Sequence, residues 1–432
     1  MSISRRQFHR VAGVSLSSAA LRGGYFTEAA LAEETSAANA ITVGVMGVNG
    51  RGSALAQAFM AQPNCTVTYV CDVDSRALDR AMQLVASKQT GPRPQPIVDL
   101  RKMLDDKSLD VLICAAPNHW HAPATILACS AGKHVYVEKP CSHNAAEGEM
   151  AVAAARKNDR VVTMGSQRRS YPALQAGIKK LHDGAIGRVM YARSWYNNKR
   201  PSIGRGKPTE VPSWLNYELW QGPAPQRDFK DNLIHYNWHW HWHWGNGELG
   251  NNGVHGLDVA RWGMGVDYPT RVTSSGGRYR WDDDQETPDT HVVSFDFAEK
   301  KTITWEGLSW SPLGAFDDGF GVSFHGEQGS MLSVGDGYRL LDLGNKEIEK
   351  QGGGGSDGVH VADFLSAIRN QRRPNADIEE AHKSTLLCHL GNIAHRSGRV
   401  LNTDPANGRI LDDAPAMEFW GREYRPNWAP KV

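Results

Sequence analysis

The segment Ile41-Thr-Val-Gly-Val-Met-Gly-Val-Asn-Gly-Arg-Gly52 joins an apolar, β-branched run to a glycine-rich turn, and a helical pattern follows it as far as Met60. An apolar run of this kind is typical of a strand that is buried on both faces. Strand, turn and helix in this order expose backbone N–H groups and the positive end of a helix dipole, where a pyrophosphate binds. The segment therefore predicts a dinucleotide-binding turn, and the alternative is a tight turn with no ligand.

The glycine spacing fits this prediction with one exception. The dinucleotide fingerprint has Gly at its first, third and sixth positions. Gly47 and Gly52 fill the first and last positions, whereas Asn49 stands in the middle and Gly50 follows it. Because Asn tolerates a left-handed backbone better than most residues, the turn remains compatible with the sequence.

The acid after the second predicted strand indicates which dinucleotide binds. The strand at 67–71 ends at Asp72, about 20 residues after the last glycine of the turn, where an acid hydrogen-bonds the adenosine ribose. Asp72 would repel a 2′-phosphate, so NAD is the predicted cofactor. Arg76, in the following helix, keeps NADP open because its side chain could reach that phosphate.

Charge and cysteine content exclude several classes of protein. Lys and Arg number 48 and Asp and Glu 47, so no bulk charge attracts nucleic acid or an acidic membrane. No apolar run reaches 18 residues, and no membrane span is expected. The six cysteines form no paired C-x-x-C zinc pattern, and we predict buried thiols without disulfides.

The first 40 residues resemble a targeting segment. Ser4-Arg-Arg-Gln-Phe-His-Arg10 is a twin-arginine signal, a weakly apolar stretch follows at 11–21, and both Ala30-Leu-Ala32 and Ala38-Asn-Ala40 fit a cleavage site. We predict that residues 1–40 are a signal peptide and that the protein is exported to the periplasm. The alternative is a tail with two chance arginines. Since the twin-arginine route carries folded proteins, the cofactor would be taken up in the cytoplasm.

Two domains and a tail follow the predicted signal. Short apolar strands alternate with helices over 41–165, which predicts a Rossmann domain with a doubly wound parallel sheet. Residues 166–400 contain alternating polar and apolar strands with few helices between them, which predicts an α+β domain on a large, mostly antiparallel open sheet. The fold class is thus α/β followed by α+β. Residues 401–432 are predicted to be an irregular tail packed on the body.

Three motifs together resemble one family. They are the turn Gly47–Gly52, Glu138-Lys139-Pro140 after the fifth strand, and Gly253-Val-His255-Gly-Leu-Asp258. The chain from 41 to its end resembles the Gfo/Idh/MocA oxidoreductases, in particular an exported subgroup with a twin-arginine signal. The resemblance implies a nicotinamide cofactor on the first domain whose ring faces the open sheet of the second.

The resemblance also implies the site residues. The expected catalytic residues are Lys139 and His255. Many members have an Asp four residues before that His, but Asn251 stands here and cannot take a proton. The predicted cofactor contacts are Gly47, Asn49, Gly50, Arg51, Gly52, Asp72, Pro117, Asn118, His121, Glu138 and Lys139. The predicted substrate contacts are Arg169, Trp240, Asn251 and Asp258, and no metal site is predicted.

The chemistry of a secondary alcohol explains why these residue types matter. Its oxidation needs a base for the hydroxyl proton and an oriented nicotinamide for the hydride. Lys139 follows a strand at the carboxyl edge of the parallel sheet, where such folds bind ligands. His255 has a usable unperturbed pKa and could take the proton or bind substrate, and a structural His is the alternative. Asp258 could orient His255, bind a hydroxyl or lie on a helix surface.

The run Trp238-His-Trp-His-Trp-His-Trp244 is the most unusual stretch. An extended run would place its tryptophans on one face and its histidines on the other. Two histidines at i and i+2 could share a metal ion, but a third at i+4 would lie about 13 Å from the first. We therefore favour a wall of aromatic rings against sugar C–H faces, and core or interface packing is the alternative.

The predicted location restricts the function. Outside the cytoplasm there is no soluble nicotinamide pool, so the cofactor must be retained and recycled. We predict an oxidoreductase acting on a secondary hydroxyl of a sugar, polyol or sugar derivative. The alternatives are an NAD-dependent, redox-neutral glycoside hydrolase or lyase, and a non-catalytic sugar-binding protein that holds the cofactor. A homo-oligomer, dimer or tetramer, formed through the C-terminal sheet is also expected.

Overall fold

The computed structural model describes residues 40–432 and contains two sheets. The first has six parallel strands in the order β3-β2-β1-β4-β5-β6. Its strands are β1 (Ile41–Met46), β2 (Cys65–Cys71), β3 (Gln95–Ile97), β4 (Val111–Cys114), β5 (His134–Val137) and β6 (Val162–Met164). The helices between them are α1 (Arg51–Met60), α2 (Ser75–Lys88), α3 (Leu100–Leu104), α4 (Asn118–Ser130) and α5 (Ala145–Lys157). The predicted doubly wound parallel sheet is confirmed.

Burial explains why these short apolar runs form a parallel sheet. Every residue of β4 is buried, as expected for a strand covered by helices on both faces. One apolar cluster contains residues of α1 and α2, and another contains residues of α3, α4 and α5. The strand order reverses between β1 and β4, so ligands are expected in the crevice at the carboxyl ends of these strands.

Helix α4 begins at Asn118, five residues before Pro123. Pro123 lies inside the helix and removes one backbone hydrogen bond. The residues before it, including Trp120 and Ala122, are fully or almost fully buried. Their packing outweighs the local preference against proline and brings Asn118, the first helical residue, to the crevice.

The second sheet has nine strands in the order β14-β13-β12-β11-β7-β10-β9-β8-β15. Its strands are β7 (Val189–Asn197), β8 (Arg271–Gly277), β9 (Thr290–Phe297), β10 (Lys301–Leu308), β11 (Phe320–Gly326), β12 (Ser330–Ser333), β13 (Tyr338–Leu341), β14 (Glu347–Gln351) and β15 (Leu401–Asn402). Only the β7–β10 pair is parallel, so the predicted mostly antiparallel sheet is confirmed. The tail is not wholly irregular, because β15 adds the edge strand beside β8.

Six further helices follow β6 in the described chain: α6 (Pro172–His182), α7 (Tyr217–Gln221), α8 (Val254–Met264), α9 (Asp357–Arg369), α10 (Ile378–Ser397) and α11 (Ala414–Met417). Helix α8 lies directly on strand β7, since a Cβ added to Gly256 would be 2.0 Å from the Ser194 hydroxyl oxygen. This close approach fixes the position of His255, the residue before Gly256. Helix α9, although late in the chain, packs beside α1 on the first sheet.

A long segment between β7 and α8 covers the crevice, and we name residues 198–248 the cover segment. It contains α7 and an apolar cluster with Leu215, Trp220, Phe229 and Trp238. The Trp/His run lies in this segment and is not extended, because Asn237–Trp240 forms a 3₁₀ turn. The two-face arrangement that an extended run would have is therefore not adopted. Burial of Trp238, Trp240 and Trp244 outweighs the preference of tryptophan for a strand.

Two further observations concern the described residues. None of their helices is long and apolar enough to cross a membrane. All six cysteines are buried free thiols. The predicted signal peptide, residues 1–40, lies outside the described residues except for Ala40, and the expected homo-oligomer stays a prediction.

Candidate active site

One cleft of about 860 Å³ lies between the carboxyl edge of the first sheet, the start of α8 and the cover segment. It contains most of the predicted site. The predicted cofactor contacts that line it are Gly47, Asn49, Gly50, Arg51, Asp72, Pro117, Asn118, His121, Glu138 and Lys139, together with the predicted Asn251 and His255.

The glycine turn at one end of this cleft requires glycine at two positions. Gly47 has a φ of +82°, and a Cβ there would lie 2.6 Å from the Ala116 backbone nitrogen. A Cβ on Gly52 would lie 2.2 Å from the Gly47 carbonyl oxygen, so Gly52 closes the turn from behind and does not line the cleft. Asn49 does not adopt a positive φ, and its side chain accepts a hydrogen bond from Arg80 at 2.8 Å.

Asp72 lies at the cleft with both carboxylate oxygens fixed. One accepts from the Val48 backbone N–H at 2.7 Å and the other from the Asp74 N–H at 2.9 Å. Burial raises the pKa of Asp72 above its usual value, and these two hydrogen bonds oppose the rise. Arg76 pairs with the Asp74 carboxylate and stacks on Trp214 at 3.3 Å, so its assigned role toward a 2′-phosphate loses support.

Arg51 links the turn to both halves of the chain. Its guanidinium donates to Glu138 at 2.7 Å and to both oxygens of Asp357 at 2.6 and 2.8 Å. Asp357 is the first residue of α9, which the sequence reasoning did not connect with the site. Arg51 thus joins Glu138 to Asp357 across the cleft wall through three charge-assisted hydrogen bonds.

Two residues that were predicted to contact the cofactor, His121 and Asn118, form hydrogen bonds with other groups of the protein. Both ring nitrogens of His121 lie near backbone carbonyl oxygens, of Pro140 at 2.6 Å and of Ala116 at 2.7 Å. Asn118 donates to the Asn246 side chain at 3.0 Å. His121 therefore presents only its ring to the cleft and positions the turn that carries Lys139.

The Lys139 amine lies in the cleft and is held by hydrogen bonds rather than by an ion pair. Its Nζ donates to the Asn251 carbonyl oxygen at 2.9 Å and to the Asn251 side-chain oxygen at 2.8 Å. Within residues 40–432 no carboxylate forms an ion pair with it. Burial lowers the pKa of Lys139 below its usual value, against the opposing attraction of Glu138 and Glu248. A neutral, proton-accepting amine is thereby made more accessible near neutral pH.

A π-helical turn, Leu249–Gly253, supplies the Asn251 carbonyl just before α8. Turns of this type occur often at functional sites. His255 follows on the first turn of α8 and also lines the cleft. Burial, and then the charge of Lys139, lowers the pKa of His255 well below its usual value, so its ring is neutral.

Three models of one oxidoreductase family match this chain in succession. The "NAD-binding Rossmann fold" model matches residues 41–166, and two C-terminal domain models match residues 219–332 and 354–430. The chain belongs to the Gfo/Idh/MocA family. Its first domain is the family's NAD-binding domain, and the glycine cradle and Asp72 fit NAD as the cofactor.

Individual relatives match more locally. A glycosyl hydrolase family 109 protein of Saccharopolyspora erythraea is 29% identical over 163 residues, which is 36% of this chain and 35% of that protein. Levoglucosan dehydrogenase of Pseudarthrobacter phenanthrenivorans is 35% identical over 98 residues, 23% of this chain and 25% of that protein. The chain therefore matches about a third or less of the length of these relatives.

The fold extends further than the sequence similarity. The WlbA dehydrogenase from Bordetella pertussis, solved with NADH and UDP-GlcNAcA, has a TM-score of 0.65 at 19% identity. The match covers 84% of this chain and 99% of that one. At this identity the likeness shows the Gfo/Idh/MocA fold and not the substrate.

Two predicted substrate contacts of this Gfo/Idh/MocA chain lie outside the cleft. The Arg169 guanidinium donates to both oxygens of Asp258 at 2.9 to 3.0 Å, and Asp258 also accepts from Ser384 at 2.6 Å. The side chains of Arg169 and Asp258 are only 6% and 1% exposed. The structure does not support the substrate assignments of Arg169 and Asp258, because this buried pair joins the 3₁₀ turn Gln167–Ser170 to α8, and the Ser384 hydrogen bond joins Asp258 to α10. Asp258 is thus committed elsewhere and does not orient His255.

The Trp240 assignment is also corrected. The ring is buried, does not line the cleft, and lies beside the Arg200 guanidinium at 4.9 Å. Arg200 does line the cleft, and it forms an ion pair at 2.6 Å with the buried Glu248. Trp240 therefore supports a cleft residue and does not stack on a sugar itself.

Sequence reasoning missed the polar residues at the open side of the cleft, which are Tyr196, Asn198, Arg200, Tyr236, His239 and Asn252. They come from β7, the cover segment and the π-helical turn. No short motif connects these segments. Only the unusual Trp/His run marked one of them, through His239.

Proposed function

We propose that this protein is an NAD-dependent oxidoreductase that acts on a secondary hydroxyl of a sugar, polyol or sugar derivative. The decisive observation is that Lys139, an amine without a carboxylate partner among the described residues, shares one cleft with the dinucleotide turn. NAD, when bound, supplies the hydride acceptor. The names of the relatives, levoglucosan dehydrogenase among them, support the substrate class.

Two residues divide the work on the substrate hydroxyl. Lys139 is aimed by two oxygens of Asn251 and takes the hydroxyl proton when its amine is neutral. His255 lies in the same cleft as a neutral ring and accepts a hydrogen bond from the substrate. Because Asn251 cannot be protonated, it positions Lys139 and does not relay a proton.

The test uses the protein as purified, with its cofactor, and a panel of D-glucose, levoglucosan and myo-inositol. We expect at least one compound to produce the absorbance band of reduced nicotinamide. A protein that contains NAD but shows no reduction with any member, while binding one of them, would instead be a cofactor-holding sugar-binding protein.

The glycosyl hydrolase family 109 relatives favour a second candidate, a redox-neutral glycosidase. In that case the cofactor would return to its starting state within each cycle. A chromogenic glycoside distinguishes the two functions, because a hydrolase releases the aglycone continuously without a second substrate. An oxidoreductase stops after one reduction unless an oxidant is added.

We propose that the cofactor is retained, and contacts of the cover segment support this. The Asn216 N–H donates to the Val73 carbonyl and the Ser75 N–H to the Trp214 carbonyl, both at 2.9 Å. His235 Nε2 lies 2.7 Å from a carboxylate oxygen of the fully buried Asp74. These contacts hold the cover segment against the strand end that carries Asp72.

The His235→Ala variant is expected to release NAD at least tenfold faster. A hydrogen bond to a charged group contributes about 1.5–3 kcal/mol, and about 1.4 kcal/mol corresponds to a factor of ten. Release is measured by separating free from bound cofactor at intervals after dilution and assaying the nicotinamide that remains with the protein. His182→Ala is the matched control, since His182 bonds to the Trp262 carbonyl away from the cleft. Equal rates in all three proteins would contradict a retaining role of the cover segment.

We propose that the chain is exported by the twin-arginine route, on the order of the charged, apolar and cleavage segments in residues 1–40. Replacing Arg5 and Arg6 by Lys is expected to keep the uncleaved protein in the cytoplasm. Cell fractionation and the mass of the recovered chain measure this. Periplasmic delivery of the double variant at the normal level would contradict the proposal.

A further inference from the structure

His239 belongs to the Trp/His run and has a fixed tautomer. Its Nδ1 lies 2.6 Å from the Tyr236 carbonyl oxygen, which can only accept a hydrogen bond. Nδ1 therefore carries the proton. In the neutral ring Nε2 is then an unprotonated acceptor on the opposite side of the imidazole.

The ring of His239 is held in place and faces the cleft. It stacks on the Trp238 indole with ring centres 3.6 Å apart and an interplanar angle of 19°. It lines the cleft that contains Lys139 and Arg200. No hydrogen bond to Nε2 comes from the part of the chain that the structure describes. Nε2 is thus an acceptor that the protein itself leaves unused.

Burial keeps this nitrogen unprotonated. It lowers the pKa of His239 to about 3, and the neighbouring Lys139 and Arg200 act in the same direction. The Tyr236 ring packs against the His239 imidazole, with ring centres 4.7 Å apart. Because the folded-state pKa lies well below the usual value, Nε2 is an unprotonated acceptor near neutral pH.

We propose that His239 binds the substrate, its Nε2 accepting a hydrogen bond from a second hydroxyl of the sugar or polyol beside the hydroxyl held by Lys139. This rests on the proposed function and adds a determinant of specificity to it. Lys139 and Arg200 line the cleft with hydrogen-bond donors, whereas His239 Nε2 is an acceptor and needs a hydrogen-bond donor from the ligand. A hydroxyl can both accept and donate, but a carboxylate or phosphate can only accept. An uncharged substrate with several hydroxyls can therefore accept hydrogen bonds from Lys139 and Arg200 and donate one to His239 Nε2.

Two substitutions separate the role in the fold from the role in binding. His239→Asn places an amide N–H near the Nδ1 position and keeps the bond to Tyr236, but removes the acceptor in the cleft. His239→Gln extends its amide toward the Nε2 position and keeps an acceptor there. His243→Gln is the control from the same run, because His243 bonds through Nε2 to the Pro225 carbonyl at 2.7 Å and does not line the cleft.

The experiment makes two kinds of measurement on each protein. One is the steady-state kinetics of nicotinamide reduction, KM and kcat, with the panel sugar that reduces the wild type. The other is the Kd of that sugar from tryptophan fluorescence, which does not depend on turnover. We expect His239→Asn to raise KM and Kd about three- to tenfold with a smaller change in kcat, as for one lost neutral hydrogen bond. We expect His239→Gln to restore at least part of the affinity and His243→Gln to leave it unchanged.

Monodeoxy analogues of the same sugar identify the bonded hydroxyl. For one analogue the wild type and His239→Asn should bind equally, because the partner of Nε2 is already missing. Unchanged KM and Kd in His239→Asn would overturn the inference while leaving the proposed function intact. Equal losses in His239→Asn, His239→Gln and His243→Gln would also overturn it, since they would show a purely structural role. If no panel sugar reduces the wild type, the proposed function fails first and the inference falls with it.

Discussion

Lys139→Ala is expected to slow reduction of the bound nicotinamide by about 10²–10⁴-fold, the usual contribution of general acid–base catalysis. The amine is held by two oxygens of Asn251 in the cofactor cleft, and the variant removes the group that takes the hydroxyl proton. Stopped-flow absorbance of the reduced cofactor measures the step. An unchanged rate would show that the Glu-Lys-Pro segment only shapes the turn.

Two control variants test whether the slow rate comes from loss of the proton acceptor. One keeps the positive charge at position 139, and the other removes a different amine away from the cleft. Lys139→Arg keeps a positive charge but cannot lose a proton, so it should be nearly as slow as Lys139→Ala. Lys133→Ala removes another partly buried amine, one that bonds the Asp106 and Leu109 carbonyls away from the cleft. It should lower stability and leave the rate of reduction unchanged.

The pH dependence of the wild type follows from the same assignment. The neutral amine is the active form, and burial lowers the pKa of Lys139 in the folded protein. The rate should therefore rise with pH through this lowered pKa and level off below the usual lysine value. A profile flat across the range in which the amine titrates would contradict Lys139 as the base.

Arg169→Ala is expected to lower the free energy of unfolding by about 3–5 kcal/mol, because it leaves the buried Asp258 charge without its main partner. Denaturant unfolding measures the loss. Arg339→Ala is the control, since Arg339 pairs with Glu347 at the surface and should cost less than about 1 kcal/mol. A variant as stable as the wild type, with only a raised KM, would restore Arg169 as a substrate contact.

The first domain could be predicted because its signals are local. Strand, glycine turn and helix follow each other within 41–60, and the clashes at Gly47 and Gly52 explain the residue types. Lys139 could be placed at the cleft for the same reason, since it follows a strand of that sheet.

The rest of the site depends on contacts between distant residues. Arg169 and Asp258 are 89 positions apart, and nothing near either residue shows that they neutralise each other. Lys139 and Asn251 are 112 positions apart, so the positioning role of Asn251 was not visible. For the Trp/His run the alternation showed only what an extended chain would do, whereas the run begins with a 3₁₀ turn that buries Trp238 and Trp240. That turn, and not the alternation, brings His239 to the cleft.

Transfer of a deuterium label from substrate to cofactor tests the central claim most directly. The purified protein with its bound cofactor is mixed with the perdeuterated form of the panel sugar that reduces it. After one turnover the protein is denatured, and the mass of the released cofactor is measured by mass spectrometry. Our account predicts NADH that carries one deuterium in the wild type, and unlabelled NAD in Lys139→Ala at the same time point. Unlabelled cofactor in the wild type, or the absence of any nicotinamide, would contradict it.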